Sequence, residues 1–303
     1  LSDEEVRIVP PAAVGFIGLG QMGLPMTRRL YEAGYSLRAC DASAAAREAF
    51  AQATGVTAVE SAAEACRNVA AVITMLPNGA IVRQVLEQAL AAAAPGTVVI
   101  DMSSSSPLET RALGEALTAR GFPVVDAPVS GGVKRAIDGS LAIMAGGEAA
   151  VVERVRPLLE AMGKSVFATG PLGSGHAMKA LNNYVSAAGL VAAAEAIHVG
   201  RHFGLDPEVM VDVLNASTGR NNSTEVKLKQ HMLSGTFGSG FALGLMAKDL
   251  RTAAEIARHS GEASPLSQLC ETLWAEADKA LGPGADHTEI YRFLARTTPD
   301  RVS

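Results

Sequence analysis

The chain has 303 residues, 48% of them hydrophobic but only 4% aromatic, and 30 are glycine. That apolar fraction supports a substantial core and excludes a disordered protein, while so few rings exclude a stacking platform for single-stranded nucleic acid. With 26 basic against 31 acidic residues the net charge is −5, which excludes a protein built to coat phosphate backbones or anionic lipid.

Residues 1–12 read as an N-terminal extension. No residue from Ile8 to Thr27 is charged. However, Pro10, Pro11 and Pro25, with Gly15, Gly18, Gly20 and Gly23, would break a helix there. An apolar strand followed by a glycine turn explains the stretch better than a signal sequence or membrane span. Short apolar runs at 14–17, 36–40, 69–75, 98–101, 124–127 and 141–145 predict strands. Between them, stretches with helical spacing predict helices at 23–33, 44–53, 80–93, 108–119 and 149–162. Such alternation makes right-handed βαβ units and a mostly parallel, doubly wound sheet of Rossmann type, covered by helices on both faces.

The alternation stops near residue 168, and beyond the Gly/Pro turn at 169–174 no strand is predicted. A long helix over 177–203 ends at Gly204 with Pro207 beyond it. Further helices follow at about 207–216, 224–234, 241–260, 265–281 and 287–295. The expected organisation is a dinucleotide-binding domain at 13–172 and an all-α domain at 173–303, joined by a long interdomain helix. Residues 180–194 carry no charge. That run is too short for a bilayer, and apolarity on all faces predicts a helix buried on all sides.

Cys40, Cys66 and Cys270 form no CxxC or Cys/His pattern. They read as small buried residues in a reducing, cytoplasmic compartment. His198 and His202 stand four apart without a third ligand, so no metal is expected.

Gly18-Leu19-Gly20-Gln21-Met22-Gly23 follows a predicted strand and opens a predicted helix. In that context glycines permit a tight turn and close approach to a pyrophosphate at the helix N-terminus. Asp41, closing the next strand, can accept hydrogen bonds from an adenosine ribose and would repel a 2′-phosphate, which favours NAD over NADP. The plain alternative is a turn beside an ordinary surface Asp. Leu76-Pro77 and the serines at 103–106 fall on the same carboxyl edge and can flank a nicotinamide. Ser104 reads equally as a helix cap. In Asp126-Ala127-Pro128-Val129-Ser130-Gly131-Gly132, consecutive bare amides can hold a substrate carboxylate with Ser130 as a further donor. They can equally be a loop that needs positive φ. Further on, Gly175, Lys179 and Asn183 share a helix face. A lysine at the head of an apolar helix should have a depressed pKa and can serve as general acid/base, with Asn183 orienting it or the substrate hydroxyl. A snorkelling lysine is the alternative. His176 is the weaker base candidate, and Lys248-Asp249 reads as a solvated charge pair.

In order and spacing, four segments resemble the β-hydroxyacid dehydrogenase family: 15–23, 126–132 continuing through Asp138-Gly139-Ser140-Leu141, 173–183, and Lys248-Asp249-Leu250. The resemblance covers about 14–294. It implies that Lys179 is the catalytic lysine and that Ser130, Gly131, Gly132 and Asn183 contact a small carboxylate-bearing substrate. It places the cofactor against Gly18, Leu19, Gly20, Gln21, Met22, Asp41, Leu76, Pro77 and Ser104, and makes Lys248 a cofactor- or substrate-side contact. It also implies a homodimer or homotetramer built through the helical domain. Residues 217–224 resemble the family's pocket segment, but Asn222 stands where 3-hydroxyisobutyrate dehydrogenases carry Trp. An amide there implies a more polar pocket and a more hydrophilic hydroxyacid. The expected activity is hydride transfer between NAD and a small β-hydroxyacid. The rivals are a glyoxylate, semialdehyde or tartronate semialdehyde reductase, or a noncatalytic cofactor-binding scaffold.

Overall fold

The computed structural model describes residues 7–296. The chain divides into two compact units, Leu1–Lys179 and Ala180–Ser303.

The first unit is built on eight strands: β1 (Ala13–Ile17), β2 (Ser36–Cys40), β3 (Ala71–Thr74), β4 (Val98–Asp101), β5 (Val124–Asp126), β6 (Val129–Ser130), β7 (Ala142–Gly146) and β8 (Ser165–Gly170). Their order is β2-β1-β3-β4-β5-β7-β6, with β8 beside β7. From β2 to β5 all neighbours are parallel, so the carboxyl ends of five strands meet one edge. β7 runs antiparallel to β5 and β6, and β8 runs parallel to β7. The chain winds from β1 to β2 and then crosses back to β3. The loops after β1 and β3 therefore diverge at a switch point, where α/β sheets bind ligands.

Helices α1 (Gly23–Glu32), α2 (Ala44–Thr54), α3 (Ala62–Ala65), α4 (Gly79–Ala89), α5 (Pro107–Thr118), α6 (Gly132–Asp138) and α7 (Ala149–Met162) complete this unit. Alternate strand residues feed two separate cores. Val14, Phe16, Ile73 and Ile100 pack with Met26 and Leu30 of α1 on one face. Ile17, Val72 and Val99 pack with Val82 and Leu86 of α4 on the other. Burial on both faces is why these strands read as continuous apolar runs. Four elements differ from the expectation: the one-turn α3, β8, the two-residue β6, and α6, which forms where a Gly-rich loop was expected.

Helix α8 (Ser174–Phe203) starts in the first unit and continues into the second, which adds α9 (Pro207–Ala216), α10 (Asn222–Val226), α11 (Leu243–Ser260), α12 (Pro265–Leu281) and α13 (Ile290–Arg296). Their core gathers around Trp274 with Leu190, Ile197, Leu243, Leu250 and Ile290. The single helix expected at 224–234 is instead two segments. α10 ends at Val226, and Leu228–Leu233 winds as a π-helix, a geometry often found at functional sites. α8 is not buried on all sides within the chain. Ala187, Leu190, Ala194 and Ile197 face the core, whereas Val185, Val199 and Phe203 are 68%, 70% and 85% exposed. One side of the helix is thus an uncovered apolar stripe. Among the described residues no helix is long and apolar enough to cross a membrane.

Candidate active site

At the end of β1 the chain turns through Gly18 at φ +104°, where a Cβ would collide with the Met75 carbonyl oxygen. Gly23 is equally constrained, because a Cβ there would strike the carbonyl of Gly18. Gly20 differs: a Cβ would meet nothing within 4 Å, so no protein atom requires a glycine there. α1 has no side-chain cap and no acid in its first turn. Open space over Gly20 beside an uncapped ten-residue helix is a cradle suited to a pyrophosphate, so the residues present fit a dinucleotide. Asp41 follows β2 directly. Its Oδ2 accepts the Leu19 N–H at 2.7 Å and its Oδ1 accepts the Ser43 N–H at 2.7 Å. Each oxygen keeps lone-pair capacity for a ribose hydroxyl. Gln21 is exposed and Met22 half-buried on the same loop.

The loop after β3 is tied to the loop after β4. The Leu76 N–H donates to Ser103 Oγ at 2.9 Å, with exposed Pro77 next in the chain. Ser104 is half-buried and does not cap α5, whose N-cap position is Ser106. Ser130 ends β6, and Gly131 and Gly132 follow at φ +131° and +66°, both exposed. The glycines are thus required by backbone conformation, and their amides stand at the surface.

Lys179 lies on α8 and is half-buried. The head of that helix is fixed by a buried polar network foreshadowed in the sequence only by scattered Asp and His residues. Gly175 seats α8 against the sheet, since a Cβ there would collide with the Met144 carbonyl. Asp126 Oδ1 accepts the Gly173 N–H and Oδ2 the His176 N–H, both at 2.7 Å. Burial pushes the Asp126 carboxyl up, although His176 and these two amides pull the other way. His176 is 1% exposed, its Nε2 donating to the Ser103 carbonyl at 3.1 Å and its Nδ1 paired with Thr110 Oγ1 at 2.9 Å. Asp101 accepts from Thr74 Oγ1, Ser103 N and Ser105 Oγ. His176 thus bridges the Ser103 loop and the turn preceding Lys179.

In the second unit Asn183 is buried, its Nδ2 donating to Asp249 Oδ2 at 2.6 Å. Asp249 is 3% exposed, so Lys248-Asp249 is not the solvated pair its sequence suggested. Lys248 itself is half-buried, and Asn222 is exposed at the start of α10. Asn221 caps α10 through the Ser223 and Thr224 amides and reaches the Gly189 carbonyl of α8 at 3.4 Å, holding this segment along α8. Nearby, Asp286 accepts from Ser239 Oγ, the amides of Gly240 and Phe241, and Thr288. Burial opposes the Asp286 charge, yet these donors hold its carboxyl below the usual range.

His287 beside it is pushed down to about 4, by burial first and then by the Lys227 charge. A depressed histidine contributes stability that is complete above its ordinary value near 6.5 and lost as pH falls toward about 4. Acidification through that window should remove roughly 3 kcal/mol through this group. Urea unfolding of the wild type and His287→Gln at pH 7 and pH 4.5 checks this. Equal acid sensitivity in both proteins would count against it.

Among the described residues no group of three or more His, Cys, Asp or Glu is placed to hold a metal. His198 instead stacks on Tyr291 with ring centroids 4.1 Å apart. All three cysteines are free and buried.

Known proteins match both units. Residues 13–170 fit the model of the NAD-binding domain of 6-phosphogluconate dehydrogenase, and 173–294 fit that described as NAD-binding of NADP-dependent 3-hydroxyisobutyrate dehydrogenase. The 2-(hydroxymethyl)glutarate dehydrogenase of Eubacterium barkeri is 36% identical, over 96% of this chain and 97% of its own. The chain belongs to the β-hydroxyacid dehydrogenase family. An NAD-dependent L-serine dehydrogenase of Pseudomonas aeruginosa is 37% identical over 86% of this chain and 90% of its own. The solved 3-hydroxyisobutyrate dehydrogenase of Mycobacterium tuberculosis, with L-serine, matches at TM-score 0.88 and 34% identity, covering 93% of this chain and 99% of that one. As a β-hydroxyacid dehydrogenase, this chain is an NAD-dependent oxidoreductase acting on a CH–OH group of a small hydroxyacid.

Proposed function

We propose that Lys179 is the general acid/base of this β-hydroxyacid dehydrogenase and that 13–172 binds the cofactor while 173–303 supplies substrate and oligomer contacts. The observation that carries this is a half-buried lysine on α8, four residues before an asparagine locked by Asp249. NAD supplies the hydride acceptor at its nicotinamide. Gly18, Leu19, Gly20, Gln21 and Met22 receive the pyrophosphate, Asp41 holds the ribose, and Leu76, Pro77, Ser104 and Lys248 border the remainder. Ser130, Gly131 and Gly132 bind the substrate carboxylate, and Asn183 and Asn222 are further substrate contacts. Lys179 Nζ takes the hydroxyl proton as hydride leaves the carbinol carbon, and returns it in reduction. The test is NADH formation over a panel of β-hydroxyacids. No turnover with any member would leave only a cofactor-binding scaffold.

Asp41 supports NAD over NADP through its charge. Asp41→Ala should weaken NAD binding about 10-fold or more, the worth of charge-assisted hydrogen bonds, and narrow the preference over NADP. Calorimetric titration with both cofactors checks this, and unchanged NAD affinity would remove Asp41 from the ribose site.

The uncovered side of α8, with exposed Leu205, Val209 and Val213 beyond it, supports a homodimer or homotetramer. Buried free thiols support a cytoplasmic setting.

A further inference from the structure

The second unit holds a cation that the proposed chemistry does not use. Lys227 sits at the break between α10 and the π-helical turn, where φ −128° and ψ −45° leave the helical region. Its carbonyl accepts the amides of both His231 and Met232, at 2.9 and 3.2 Å, so the turn is anchored at this residue. Its Nζ lies 3.4 Å from Ser186 Oγ. Ser186 is on α8, three residues after Asn183 and therefore beside it on one side of the helix. Lys227 is half-buried. Asp286 attracts it, but that carboxylate is already engaged by Ser239, Gly240, Phe241 and Thr288, and among the described residues the two form no ion pair.

Burial pulls the Lys227 ammonium down to about 8, with Asp286 offsetting only part of that. A lysine with a depressed folded-state value stabilises the fold fully only above its ordinary range, and that contribution is gone at neutral pH. A neutral side chain of the same length would serve the fold better. Charges kept against stability are characteristic of binding sites.

We propose that Lys227, assisted by Ser186, binds a second anionic group of the substrate, so that hydroxyacids bearing two oxyanions are preferred. This rests on the hydroxyacid dehydrogenase reading and defines its substrate class. Asn222 leads one to expect a more polar pocket, and Lys227, five positions later, would add a charge to it. A lysine recognises an oxyanion as a point charge, so a carboxylate, sulfonate or phosphate tail would serve.

The experiment compares wild type, Lys227→Met and Lys227→Arg with 2-(hydroxymethyl)glutarate and 3-hydroxyisobutyrate, substrates with two carboxylates and with one. Lys227→Met should lower kcat/KM for the dicarboxylate about 10- to 100-fold, mainly through KM, as expected for one charge-assisted contact. It should change the monocarboxylate rate by no more than about threefold and raise Tm, while Lys227→Arg keeps most of the preference. Equal losses on both substrates, or an unchanged dicarboxylate KM, would overturn the proposal. In parallel, glutarate and propionate are titrated calorimetrically into the NAD-loaded wild type and Lys227→Met proteins. Glutarate binding that depends on Lys227 supports the anion site even if no hydroxyacid turns over, in which case the dehydrogenase reading alone fails. Glutarate binding no better than propionate to the wild type overturns the site.

Discussion

Lys179→Ala should lower turnover by about 10²- to 10⁴-fold, the usual worth of a positioned general acid/base. The residues proposed to hold the cofactor include Gly20, the uncapped start of α1 and Asp41, and Lys179 is not one of them. NAD affinity should therefore stay within about twofold, separating loss of chemistry from loss of binding. Lys179→Arg keeps the charge but puts a guanidinium that stays protonated where the amine stood, and should be nearly as slow. Single-turnover measurement of NADH formation with saturating hydroxyacid decides it. A rate within about tenfold of wild type would take the lysine out of the proton-transfer step.

The second large effect is on the fold. Asp126→Leu strands the amides of Gly173 and His176, both now bonded at 2.7 Å. Two buried donors left without acceptors should cost about 3 kcal/mol or more of unfolding free energy. Asp126→Asn should help little, because one side-chain position then presents N–H to N–H. Urea denaturation monitored by circular dichroism gives the number, and a loss under about 1 kcal/mol would mean that water or a shifted backbone replaces the carboxylate.

Most of the sheet was legible because β1 to β5 are buried on both faces, leaving unbroken runs such as 98–101 between helical stretches. β8 was not, since Phe167 and its neighbours are largely exposed and the run mixes Ser, Thr and Gly, which resembles a turn. α6 was hidden behind Gly131-Gly132, whose positive φ values end a strand and open a helix within two residues. At the candidate site, the glycine turns and the placing of Gly175, Lys179 and Asn183 on one helix are local signals and were legible. The Asp126–His176 bridge joins residues 50 apart in the chain, so no local spacing encodes it. Lys227 lies among Lys229, Gln230 and His231, a run whose composition resembles a solvated surface. Only the π-helical break, invisible in a helical periodicity, separates it from them.

The saturation of Asp286 has an evolutionary consequence. Its carboxylate collects hydrogen bonds from three backbone amides, of Gly240, Phe241 and Thr288, and from the Ser239 and Thr288 hydroxyls, so it does not depend on Lys227 for a counter-charge. An ordinary buried acid–base pair resists single replacements, because losing one member orphans the other. Here a change at position 227 leaves the hydrogen bonds of Asp286 in place, so it orphans no buried carboxylate. A lineage with this scaffold can therefore explore new acids by changing a residue that the fold does not require.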